Sequence, residues 1–63
     1  MKSYSSREVI KILESHGWYL KRVVGDHHQY TDGHKLATVR HPVKDLGIKN
    51  IKSIEKQTGI KFS

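Results

Sequence analysis

Near the start of the chain, Val9, Ile12 and Leu13 recur at helical spacing, with His16 on the same face. Ser5, followed three residues later by Glu8, is a capping-box signature. Gly17 fits the left-handed stop just past a helix. The pattern predicts a first helix over residues 6–16. From Trp18 the period changes. Trp18, Leu20 and Arg22 alternate with Tyr19, Lys21 and Val23, which predicts a strand over residues 18–24. Gly25-Asp26 is a turn signal, and residues 27–31 form a second short strand. Asp32-Gly33 is a strong hairpin signal leading to a third strand over residues 36–40. Pro42 cannot donate to a ladder and belongs beyond that strand's end. Residues 44–47 read as a loop and Asn50 as an N-cap. Ile51, Ile54 and Thr58 share one face of a second helix over residues 51–58, which Gly59 stops, and Ile60 and Phe62 fold back as a tail.

The expected fold is therefore α+β, in the order α-β-β-β-α. A three-stranded antiparallel sheet carries both helices on one face, the most economical way to bury their apolar stripes. The other face is left open for function. Residues 1–63 read as a single domain, with neither repeat nor low-complexity segment.

Composition sharpens this picture. Lys and Arg number 12 against 6 Asp and Glu, a formal charge of +6, and the sequence pI is about 9.9. Such a field draws in phosphate backbones or acidic protein surfaces. There is no cysteine, which excludes disulfides and thiolate zinc sites. No stretch reaches the roughly 20 apolar residues that span a bilayer. The N-terminal residues lack the apolar core of a signal peptide, so the expected location is the cytoplasm.

Histidine is the candidate catalytic residue type, with five in the chain. No acid pair, serine nucleophile motif or phosphate-cradling glycine loop competes with it. His16 ends the first helix, where a cation suits the dipole. His34 sits at a hairpin tip, and His41, before Pro42, either lines an RNA surface or is simply exposed. His27 and His28 are neighbours on a strand, so their side chains point to opposite faces. No histidine pair has the i, i+4 helical spacing that makes zinc ligands converge, so no metal or other cofactor is expected.

The sequence resembles the HicA toxins of bacterial and archaeal toxin–antitoxin systems over essentially its whole length. Residues 6–13 followed by His16-Gly17-Trp18 look like the family's opening helix with its Gly-aromatic end. Gly25-Asp26-His27-His28-Gln29-Tyr30 looks like the central Gly-Ser-His motif followed by an aromatic. Thr38-Val39-Arg40-His41-Pro42 is similar to its third-strand motif, usually Thr-Val-Pro-x-His or a close variant, and residues 51–60 are similar to its closing helix. Three departures from the pattern stand out. Asp26 replaces the usual Ser, Lys49-Asn50 the common Gly-Thr, and Arg40 the common Pro.

The resemblance implies a fold like that of a double-stranded-RNA-binding domain and a metal-independent endoribonuclease that cleaves mRNA. It implies that His27, following the Gly-x pair, is the single catalytic histidine. It further implies a HicB-family antitoxin as protein partner. RNA supplies its own nucleophile, the 2′-hydroxyl, and a histidine near its ordinary pKa suits the task of removing its proton. Lys21, Arg22, Lys35 and Arg40, on or beside the strands, are candidates to stabilise the phosphate charge. No general acid is assigned, and His28 or His41 remain second imidazoles without support. A non-catalytic double-stranded-RNA-binding module is the alternative, with Lys49, Lys52 and Lys56 on the last helix as its contacts. That reading gives His27 no task. A protein-interaction module is a third possibility.

Overall fold

The computed structural model describes residues 3–62. Helix α1 spans Ser6–Ser15, strands β1, β2 and β3 span Tyr19–Val24, His27–Thr31 and Leu36–Arg40, and helix α2 spans Gly47–Thr58. The strands form one antiparallel sheet in the order β1-β2-β3. Element order and sheet agree with the α+β expectation.

The capping box forms as read. The Ser5 hydroxyl accepts from the Glu8 N–H, and the Glu8 carboxylate accepts from the Ser5 N–H. At the other end Gly17 takes φ 85°, a backbone conformation that residues with a side chain rarely adopt, and the chain closes with the Trp18 N–H on the Leu13 carbonyl. Trp18 is thereby buried just ahead of β1 rather than within it.

Val9 and Leu13 of α1, Ile51 and Ile54 of α2, and Tyr30, Ala37 and Val39 of the sheet belong to one buried cluster. Both helices therefore lie on the same face of the sheet. Tyr4 and Phe62 close the cluster from the two chain ends, their rings edge to face at 5.5 Å and the Tyr4 hydroxyl donating to the Phe62 carbonyl. Burial holds the Tyr30 phenol above its ordinary pKa, with Glu14 adding to the shift.

Two local expectations need correction. Helix α2 begins at Gly47, not at residue 51, and Asn50 lies inside it, its amide donating to the Leu46 carbonyl. The start is organised by Asp45, whose carboxylate accepts from the Gly47 N–H at 3.0 Å. An aspartate two residues ahead of a free N–H does this readily. The Asp32-Gly33 hairpin keeps its expected bounds, with Thr31 paired to Leu36 across four loop residues. Asp32 accepts from the N–H groups of His34 and Lys35 at 2.8 Å each and closes that loop itself. Finally, β1 carries a bulge at Lys21, since Leu20 pairs with Tyr30 and Arg22 with Gln29. The extra residue resets the alternation. Leu20 and Val23 fall on the helix side, while Tyr19, Arg22 and Val24 fall on the open side.

The two sheet edges differ. The outer edge of β3 is flanked by α2, and the Thr38 N–H donates to the Gln57 side chain at 3.2 Å. Among the described residues, the outer edge of β1 pairs with nothing.

Candidate active site

The β1–β2 turn is the tightest in the molecule, with Val24 paired directly to His27. Gly25 supplies φ 60° at its first central position, as a II′-type turn requires. The turn is anchored to the far strand by the His41 N–H, which donates to the Asp26 carbonyl at 2.9 Å. His27 follows immediately, opposite Arg40 across β2 and β3. Strand alternation sends both side chains to the open face.

Asp26 joins them. Its carboxylate lies 3.3 Å from His27 Nδ1 and 3.6 Å from Arg40 Nε. The three side chains are 53–57% exposed, so their mutual attraction is screened and adds little to stability. What the contact supplies is orientation. A carboxylate at Nδ1 favours the tautomer with its proton there and leaves the Nε2 lone pair facing solvent. One rung further along the same face, Arg22 Nε donates to Gln29 Oε1 at 2.8 Å, and Gln29 pairs with Thr38. The open face thus presents an imidazole with one guanidinium on its own rung and a second on the next.

His28 turns the other way, as alternation demands. It is half-buried and meets His41 edge to face, ring centres 5.0 Å apart. His28 Nδ1 is buried without a hydrogen-bond partner, and His41 Nδ1 lies 2.6 Å from Ser6 Oγ. Neither ring shares a face with His27. His16 caps α1, its Nδ1 2.9 Å from the Ile12 carbonyl. His34 is exposed in the β2–β3 loop.

The basic residues expected at the site are distributed unevenly. Arg22 and Arg40 stand with His27. Lys21 occupies the β1 bulge. Lys35 sits beyond the Thr31–Leu36 end of the sheet, five positions or roughly 17 Å from the His27 rung, with its Nζ 3.5 Å from the Thr58 carbonyl. Lys49 and Lys52 are exposed on α2. They neighbour Asn50 and Ser53, which share a small cleft of about 40 Å³ with Thr38 and Arg40. Gln29, Thr38 and this cleft were not anticipated, because only strand register brings them beside His27. Among the described residues, no three histidine or acidic side chains cluster as metal ligands would. No helix among them is long and apolar enough to cross a membrane.

Fold and site define a class: a small basic α+β protein with two helices behind an open sheet and an accessible, carboxylate-oriented histidine in front. Residues 6–60 match the family model described as the HicA toxin of bacterial toxin–antitoxin, and the chain belongs to that family. It is accordingly the toxin of a toxin–antitoxin pair, with an antitoxin as its partner. No curated protein sequence matches the chain.

Proposed function

We propose that this toxin is a metal-independent endoribonuclease of mRNA, with His27 as its general base. The observation that carries the proposal is the exposed His27 ring, oriented through Nδ1 by Asp26 and flanked by Arg40 and Arg22. In the reaction, Nε2 removes the proton of a ribose 2′-hydroxyl. The 2′-oxygen attacks the adjacent phosphorus, the bond from phosphorus to the 5′-oxygen breaks, and that oxygen takes up a proton as it leaves. The products are a 2′,3′-cyclic phosphate and a 5′-hydroxyl. Arg40 and Arg22 neutralise the charge that builds on the phosphoryl oxygens. No residue among those described is assigned as the proton donor.

Cytoplasmic mRNA is the substrate in this reading, and the partner is a HicB-type antitoxin that covers the open face. A surface with a net charge of +6 suits an acidic partner. The test is cleavage of single-stranded RNA by purified protein in the presence of a chelator. Cleavage by the wild type, lost in His27→Ala, is the expected result. Activity that needs a divalent metal would defeat the mechanism. The non-catalytic RNA-binding alternative draws on the exposed Lys49, Lys52 and Lys56 of α2, and binding of duplex RNA without products would favour it.

A further inference from the structure

A cavity of about 390 Å³ opens beside the first turn of α1, between Ser5 and Arg7 on one side and His41, Pro42 and Lys44 on the other. That volume falls within the roughly 300–1,000 Å³ of small-ligand clefts. The ribonuclease reading gives the cavity no task.

Its walls are tied down. The Ser6 N–H donates to the Val43 carbonyl at 2.8 Å, and the Val43 N–H donates to Ser6 Oγ at 2.9 Å. Ser6 Oγ also meets His41 Nδ1, and His28 braces the His41 ring edge to face. The His41 ring is therefore a fixed wall, with Pro42 beside it. Arg7 and Lys44 are exposed at the rim. The backbone bond from His41 to Asp26 joins this wall to the turn that carries His27. The cavity and His27 thus flank one end of the sheet from its two faces.

We propose that this cavity is a subsite for a nucleotide next to the scissile one in a single-stranded RNA. The base packs against Pro42 and the His41 ring, and Arg7 and Lys44 take a phosphate each. Bases have a π-face that stacks on rings, and backbone phosphates seek paired cations. An acidic peptide would use the two cations, but only one carrying an aromatic or proline side chain would also use the ring wall, whereas every nucleotide brings both a phosphate and a base. The inference rests on the ribonuclease reading and adds to it a second site of contact, behind the sheet.

The test uses full-length His27→Ala protein, which holds RNA without cutting it, and a single-stranded oligonucleotide of about eight nucleotides. Adding RNA should shift the backbone amide NMR signals of Ser6, Arg7, His41 and Lys44 together with those around residue 27. Adding R7A and K44A should weaken binding about tenfold. It should also reduce the slope of log affinity against log salt by about 1.4, which is about 0.7 for each of two lost phosphate contacts. In the His27-containing protein the same pair should raise KM and leave kcat in place. If RNA moves only the open-face signals and the pair changes neither affinity nor slope, the subsite is wrong while cleavage stands. If the wild type neither cuts nor binds RNA, both readings fall. If an acidic peptide moves the cavity signals and RNA does not, the subsite belongs to a protein ligand and the proposal is overturned.

Discussion

On the proposed mechanism, replacing His27 by Ala should separate catalysis from folding because of where the ring sits. The imidazole is 55% exposed, and its one ion-pair contact is to an equally exposed Asp26. Such a residue contributes about 0.5 kcal/mol or less to stability. For a domain near this size, that moves Tm by about 2–4 °C at most. The chemical loss is of another order. A positioned general base supplies roughly 10²–10⁴-fold, or about 3–5 kcal/mol of transition-state stabilisation at about 1.4 kcal/mol per decade. Single-turnover cleavage of a labelled RNA should therefore slow by at least about a hundredfold, with the melting curve almost unmoved. His28→Ala should show the reverse pattern. That ring is half-buried against His41, so its removal opens the packing behind the sheet. Its melting temperature should fall further than that of His27→Ala while cleavage persists. An active His27→Ala variant would refute the mechanism. A dead but fully folded His28→Ala variant would show that the functional ring lies on the helix side.

Three further outcomes follow from the same geometry. Asp26→Ala should lower kcat about tenfold, well short of the roughly 10⁴-fold effect of a buried aspartate–histidine pair, because solvent screens this one; an unchanged kcat would remove Asp26 from the site. Asp32 has its pKa held below the ordinary 3.8, first by the Lys35 N–H and then by that of His34. Its stabilising effect is thus present above the ordinary carboxylate pKa and fades as pH falls through the lowered value, so the Tm gap between wild type and Asp32→Ala should close in acid. Leu13→Ala empties a fully buried position and should cost about 2–5 kcal/mol. Since 63 residues carry only roughly 3–9 kcal/mol in all, denaturant titration should show that variant at or near its unfolding threshold.

How much of this was legible beforehand depends on the range of the interaction involved. The capping box of Ser5 and Glu8 is local, and the sequence shows both partners. The alternation of Tyr30, Ala37 and Val39 into the core is likewise a matter of period. The start of α2 was misplaced because Asn50 looks like a cap, whereas Asp45 reaches the Gly47 N–H through an Asx-type turn. The bulge at Lys21 has no local mark, since lysine at a bulge looks like lysine in any strand. It nevertheless decides which face Arg22 joins. The link from Asp26 to Arg40 spans the whole of β2, the loop after it and β3. Only the pairing of His27 with Arg40 brings the two together, and that register depends on loop lengths on both sides. The motif that includes Asp26 marked His27, while the Arg40 partner had to come from the fold.

The bulge has a consequence that concerns the molecule's dealings with its own copies. Strand β1 has an unpaired outer edge, and Tyr19, Leu20, Val23 and Val24 stand exposed along it. A flat apolar edge of that kind is a template on which another chain can add a strand. Lys21 interrupts it twice over, by kinking the strand and by setting a charge in the middle of the apolar run. Lys21, with Arg22 beside it, thus guards this edge against strand addition by another copy, and a variant lacking Lys21 should aggregate more readily than the wild type.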